Sequence, residues 1–116
     1  MKLEMLPQPI KIGNRLAPNR MVNQPMECND ADAAGHPTDL TFKRYRKLAE
    51  GGAGVIVVES MTITYETRSR KNQLKISEET APDLERLVRE MREINSQSLV
   101  LFQINHSGKV SGADFS

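Results

Sequence analysis

Two stretches of this chain run apolar almost without polar alternation, and a helix-patterned stretch precedes each. They are Ala53-Gly54-Val55-Ile56-Val57-Val58-Glu59-Ser60 and Leu99-Val100-Leu101-Phe102-Gln103-Ile104. A strand that offers no polar face has to be buried on both faces, which is the signature of a parallel sheet covered by helices. Met21-Val22-Asn23-Gln24, ended by Pro25, supplies an earlier, shorter extended stretch. The order is therefore strand–helix–strand–helix–strand, which implies a right-handed parallel α/β arrangement. No helical pattern follows the third strand before Ser116. A parallel sheet needs helices over both faces, so residues 1–116 are expected to be the opening part of a larger α/β protein, and any site on them a partial one.

The punctuation between these elements is local. Ile10-Lys11-Ile12, a turn at Gly13-Asn14 and a return through Arg15–Arg20 predict a hairpin over about residues 8–20, since Gly and Asn tolerate positive φ. Residues 28–37 have loop composition. A first helix is expected over Asp39–Glu50, with Thr38 as N-cap, Asp39 in the first turn and Gly51-Gly52 as the stop. Its apolar stripe reads as Leu40, Tyr45, Leu48 and Ala49, with Phe42 alongside. Residues 61–77 read as a long polar connection. The second helix is expected to start near Thr80, with Thr80 and Asp83 as a capping box and Pro82 in the first turn. Leu84, Leu87, Val88 and Met91 recur at helical spacing, Ile94 extends them, and Glu85–Arg89 and Arg89–Glu93 form i, i+4 pairs.

Composition excludes several classes of function. The 116 residues carry 16 basic and 15 acidic side chains, a net charge of +1, which gives no electrostatic case for nucleic acid or an anionic membrane surface. No apolar run approaches the ~20 residues that span a bilayer, and Met1-Lys2-Leu3-Glu4 lacks the apolar core of a signal peptide. The single cysteine, Cys28, forms no internal disulfide and no metal cluster. A cytoplasmic protein without a metal site is the expectation.

Two closures suit the βα alternation: an open doubly wound sheet, or a barrel of eight βα units. In both, function collects at the C-terminal ends of the strands, here Pro25-Met26-Glu27-Cys28, Glu59-Ser60-Met61 and Gln103-Ile104-Asn105-His106. Neither G-x-G-x-x-G nor G-x-x-x-x-G-K-[ST] occurs, which leaves a Rossmann or P-loop reading without support and favours the barrel. Three segments then carry a resemblance. Pro9-Ile10-Lys11-Ile12-Gly13-Asn14 with Asn19-Arg20-Met21-Val22 and Pro25-Met26, next Ala49-Glu50-Gly51-Gly52-Ala53-Gly54-Val55-Ile56-Val57-Val58-Glu59, and finally Gln103-Ile104-Asn105-His106-Ser107-Gly108-Lys109 resemble, in order, the start of the Old Yellow Enzyme family. This is the FMN-dependent (β/α)8-barrel group of NADH:flavin oxidoreductases and 2,4-dienoyl-CoA reductases. The expected fold is thus about three β/α units from the N-terminal part of a flavin-binding TIM barrel.

The resemblance implies four FMN-binding residues. Pro25 and Met26 match the segment whose backbone packs against the flavin ring. Read by themselves, they are a strand-ending proline and a core methionine. Ser60 matches a small residue near a flavin carbonyl; a strand-end Ser equally serves to bond its own loop. Gln103 matches the Gln that hydrogen-bonds the flavin's pyrimidine edge. A carboxamide offers the donor and acceptor that edge requires, and a Gln in a buried apolar strand is costly without a partner. The substrate-orienting pair and the Tyr proton donor of the family lie on later strands, so no catalytic residue is assigned here. His106 is read as structural, His36 as solvated, Glu27 as a solvated loop carboxylate in the place where some bacterial relatives carry a redox-tuning Cys, and Cys28 as a plain thiol. The Arg68-Ser69-Arg70-Lys71 run is read as a solvated loop rather than a site for an anionic substrate tail.

The resemblance implies an enzyme that moves hydride from NAD(P)H through FMN to an activated alkene or similar small-molecule acceptor, of which this chain is a catalytically incomplete N-terminal piece. The alternative is a silent partial-barrel module that self-associates through its exposed strand edges.

Overall fold

A computed structural model describes residues 3–111. The expectations that touch Met1, Lys2 and residues 112–116 lie outside the described residues. A hairpin comes first, with β1 (Ile10–Ile12) antiparallel to β2 (Arg15–Ala17) and Gly13 in the left-handed region at φ 61°. There follow β3 (Val22–Asn23), α1 (Asp39–Glu50), β4 (Val55–Thr62), α2 (Ala81–Ile94) and β5 (Leu99–Asn105). β3, β4 and β5 form one parallel sheet in that order. No helix among the described residues is long and apolar enough to cross a membrane.

Helix α1 begins where its cap says it should. Thr38 has extended backbone, its Oγ accepts from the Thr41 N–H, and the Thr41 hydroxyl accepts from the Thr38 N–H at 3.1 Å, a reciprocal capping box. That box corrects the expected stripe. Thr41 is fully buried with Phe42, Tyr45 and Ala49, while Leu40 is 66% exposed. The helix is rotated so that the Thr41 hydroxyl, bonded to Asp30 as well, lies inward.

The start of α2 is corrected too. Thr80 is helical in backbone and makes no side-chain cap bond to the helix. Instead Ser77 and Thr80 form the reciprocal pair, with the Ser77 N–H on the Thr80 hydroxyl at 3.0 Å and the Thr80 N–H on the Ser77 hydroxyl at 3.3 Å. Asp83, freed from capping, takes His36 Nδ1 at 2.7 Å. Leu84, Leu87 and Met91 face the core as their spacing requires, whereas Ile94 ends the stripe half exposed. Glu90 carries the helix ion pairs, with Arg86 at 3.0 Å one turn before it and Arg46 of α1 at 2.8 Å. Desolvation alone would raise the Glu90 carboxyl, but hydrogen bonds from Arg46 and Arg86 outweigh it and hold the group below its ordinary value.

The sheet buries Ile56 and Val58 against α1 and α2, and Val100 and Phe102 of β5 pack on the same cluster. Between Val58 and Met61 the ladder slips. Val58 pairs with Phe102 and Met61 with Ile104, so Glu59 and Ser60 together oppose Gln103. This bulge shifts the alternation by one residue, and Met61, not Ser60, continues the core.

The connection after β4 is not a solvated loop. It comes back to the end of the strand and bridges Thr62 in parallel, with the Thr62 N–H on the Leu74 carbonyl and the Ile76 N–H on the Thr62 carbonyl, both at 2.9 Å. Leu74 is fully buried there, and Gln73 and Arg68 nearly so. At the other end of β4, Asn19 Oδ1 accepts from the N–H groups of Gly54 (2.7 Å) and Met21 (3.0 Å), and its amide donates to the Gly52 carbonyl. Only a residue without Cβ fits at Gly54, because that carbon would run into the Asn19 backbone.

These positions predict opposite outcomes for two leucines that both read as apolar-stripe positions. Leu87→Ala should cost about 2–5 kcal/mol, as for other buried large-to-small changes. Leu40→Ala should stay within about 0.5 kcal/mol. Urea denaturation of the two variants checks both.

Candidate active site

Parallel βα folds gather their working groups at the C-terminal strand ends, and three such ends meet here. β3 leaves the sheet after Asn23, paired with Ile56, so Pro25 and Met26 run on beside β4 without ladder bonds. Pro25 is half-buried; Met26 is 71% exposed, and its N–H donates to no described group. On β4, Ser60 is buried within the bulge, and both its carbonyl (3.1 Å) and its hydroxyl (3.4 Å) accept from Gln73 Nε2. On β5, Gln103 stands opposite the bulge.

Gln103 is exposed, contrary to the expectation of a doubly buried strand. The reason is architectural. The helices cover the face that carries Val100 and Phe102, and alternation places Leu101 (49% exposed) and Gln103 on the other face, where no described layer lies. β5 is also the last strand of the described sheet. Among the described residues, nothing hydrogen-bonds the Gln103 carboxamide. The bulge thus sets Ser60 and Gln103 opposite one another, while no hydrogen bond ties either of them to Pro25 or Met26 among the described residues.

Beneath these groups lies an ion network that inspection of the sequence misses. Glu59, at the end of the apolar run, is 1% exposed. Its Oε1 accepts from the Tyr45 hydroxyl at 3.0 Å and from Arg44, and its Oε2 from the Cys28 N–H at 3.3 Å. The Glu59 N–H in turn donates to the Tyr45 hydroxyl at 2.8 Å. Arg44 reaches Asp30 with two parallel bonds of 3.0 Å, Nε to Oδ2 and Nη2 to Oδ1, the bidentate geometry that suits a guanidinium. Burial alone would lower the Arg44 pKa, but hydrogen bonds to Asp30 and Glu59 outweigh it and raise the guanidinium above its already high value. Burial pushes the Tyr45 phenol up, and the neighbouring Glu59 charge pushes it further. The one available sequence signal was a carboxylate inside an otherwise apolar strand, which demands a buried cation from elsewhere.

Several side chains read as solvated are engaged. Glu27 accepts from the Ser69 hydroxyl at 2.7 Å and from Arg70 Nε at 3.1 Å, so it leans toward the 68–72 segment. Arg68 is 4% exposed, donates to the Tyr65 and Lys71 carbonyls and stacks 3.4 Å from the Tyr65 ring centroid. It closes the loop that the sequence suggested it would merely decorate. His36 is half-buried against Asp83. Cys28 is an exposed free thiol. His106 Nδ1 accepts from the Gly108 N–H at 2.9 Å, which shapes the turn after β5.

This arrangement, parallel βα units with polar groups at the carboxyl ends of their strands, is the opening portion of a TIM barrel. The family model of the NADH:flavin oxidoreductase / NADH oxidase family matches residues 5–116. An NADPH dehydrogenase of Clostridium acetobutylicum is 35% identical over 99 residues, which cover 84% of this chain and 29% of that enzyme. Among solved structures, a 2-naphthoyl-CoA reductase in complex with 2-naphthoyl-CoA superimposes with a TM-score of 0.88 at 28% identity, over 96% of this chain and 17% of that one. The Old Yellow Enzyme homologue from Zymomonas mobilis superimposes with a TM-score of 0.82 at 22% identity, over 95% and 30%, a likeness of fold. The chain belongs to the NADH:flavin oxidoreductase / NADH oxidase family, and it spans less than a third of the length of these relatives.

The buried network makes a stability prediction. Glu59→Leu strands Arg44 without one of its carboxylates and should cost about 3–5 kcal/mol. Combining it with Arg44→Met removes the stranded guanidinium and should restore part of that loss, the remainder reflecting Asp30, whose carboxylate then keeps only the Thr41 hydroxyl among the described residues. Chemical denaturation of wild type, single and double variants decides it.

Proposed function

We propose that the complete protein is an FMN-dependent oxidoreductase of the Old Yellow Enzyme type, and that this chain supplies one wall of its flavin site. Bound FMN would supply the hydride relay between NAD(P)H and an electron-poor alkene or similar small-molecule acceptor. The observation that carries the reading is Gln103, an exposed carboxamide without a hydrogen-bond partner among the described residues at the carboxyl end of β5, in a chain of this family.

The groups at the strand ends fit that cofactor. The Gln103 amide offers a donor and an acceptor side by side, which matches the alternating N–H and C=O of a flavin's pyrimidine edge. The Ser60 hydroxyl oxygen accepts from Gln73, which leaves its proton to donate to a flavin carbonyl. The N–H of Met26, which donates to no group among the described residues, could polarise the ring system without adding a titrating charge. Glu27, held by Ser69 and Arg70, is drawn toward the 68–72 segment. The reductant and the acceptor are carried over from the family and from the NADPH dehydrogenase relative.

In the complete protein, Gln103→Leu should weaken FMN binding about tenfold or more, the equivalent of one or two lost hydrogen bonds at ~1–1.5 kcal/mol each. Fluorescence titration of FMN gives the number, and an unchanged dissociation constant with an unchanged visible spectrum would refute the reading. A second role concerns the 116-residue chain by itself. β5 ends the described sheet with Leu101 and Ile104 about half exposed, and an uncovered apolar edge strand favours pairing with another copy. Sedimentation of the chain should show association that grows with concentration; a single monomeric species throughout would count against it.

A further inference from the structure

The segment from Gln24 to Asp30 has no ladder to hold it, since β3 ends at Asn23. It is nevertheless fixed from two sides. On the outer side, Glu27 bonds Ser69 and Arg70, the Asn29 side chain accepts from the Asn72 N–H at 2.8 Å, and the Ala31 N–H donates to the Asn72 carbonyl at 3.2 Å. On the inner side, the Cys28 N–H is held by Glu59 Oε2, the Asp30 carboxylate by both arms of Arg44 and by the Thr41 hydroxyl, and the Asp30 carbonyl by the Thr38 hydroxyl at 2.6 Å. Between Cys28 and Asp30, Asn29 adopts φ 55°, a left-handed kink that Asn tolerates better than most residues, and its two neighbours both engage the buried pair.

The two sides are unequal. Arg70 is mostly exposed, and exposed pairs hold a chain weakly. Arg44 and Glu59 are packed against Tyr45, with Glu59 out of water, and their directions are set by a phenol whose oxygen bonds both the Glu59 carboxylate and the Glu59 N–H. Charged bonds in such surroundings are stronger and more directional than their exposed counterparts.

We propose that Arg44 and Glu59 are positioning residues: through the Cys28 N–H and Asp30 they fix where the Pro25–Met26 backbone stands at the flavin wall. They touch no cofactor themselves. The proposal rests on the flavin reading above and adds to it a device on the helix side of the sheet, remote from the uncovered face of Gln103.

The test uses the complete protein and the Arg44→Met/Glu59→Leu double variant, which removes the Glu59 hold on Cys28 and the Arg44 hold on Asp30 and leaves Asp30 only the Thr38 and Thr41 hydroxyls among the described residues. Two readouts are needed: amide hydrogen exchange at Cys28 relative to Val58, and the FMN dissociation constant. Cys28 exchange should accelerate about tenfold or more while Val58 stays protected, because a local release differs from global destabilisation. FMN affinity should fall about tenfold, ~1.4 kcal/mol. Asp30→Asn, which keeps an acceptor and removes one charge, gives the same two readouts in milder form if the double variant does not fold. Unchanged Cys28 exchange overturns the positioning role. So does faster exchange with unaltered FMN affinity in a protein where Gln103→Leu still weakens FMN. If neither variant weakens FMN, the flavin reading fails and takes the positioning role with it.

Discussion

A carboxylate at the end of an apolar strand has to be neutralised where it stands, and Glu59 organises much of this chain around that need. Its partners come from α1, where Arg44 and Tyr45 are adjacent in sequence, and from the segment after β3, through Cys28. Arg44 in turn brings in Asp30, whose carboxylate also holds the Thr41 hydroxyl and so reaches the N-cap of α1. One buried charge thereby ties a strand, a helix, a helix cap and a loop into a single unit. A buried pair of this kind is weak evidence for stability, because desolvation offsets most of the attraction. Its value lies in fixing geometry, since each bond has one acceptable direction.

The bulge at Glu59–Ser60 is the second constraint, and the two are linked. A regular strand would put residues 59 and 61 on one face and 58 and 60 on the other. The extra residue lets Val58 and Met61 both serve the core, while Glu59 reaches α1 and Ser60 meets Gln73. Bulges recur beside active sites because they re-aim a side chain at small cost to the sheet. Here one lies directly opposite Gln103.

What the sequence made legible was local. The bounds of α1 followed from Thr38 and from Gly51-Gly52, because caps and turns act within a few residues, and the start of β5 from the apolar run that opens at Leu99. The family and the barrel architecture were legible for a different reason, three separate motifs at successive strand ends. Errors arose where distant contacts overrode local pattern. Leu40 looked like the better core residue, yet Thr41 is inside because Asp30, eleven positions away, accepts its hydroxyl. The 61–77 stretch looked polar and therefore wet, but Arg68 and Gln73 bury their polar atoms on backbone carbonyls and on Ser60 while Leu74 fills the core. Glu59 passed as the end of an apolar run, and nothing in its neighbourhood named Arg44 and Asp30 as its partners.

The same division explains why the candidate flavin residues were easier to name than the network that supports them. Pro25, Met26, Ser60 and Gln103 were named from the family resemblance, and they lie at strand ends, where βα folds collect their working groups. Their supports sit on the opposite side of the sheet and act through backbone atoms, such as the Cys28 N–H, which leave no mark on residue type. A group that must meet a ligand is constrained in chemistry, whereas a group that must hold a loop is constrained only in position. Residue identity therefore suggests candidates of the first kind, and the second kind emerges only when the hydrogen bonds are traced from donor to acceptor.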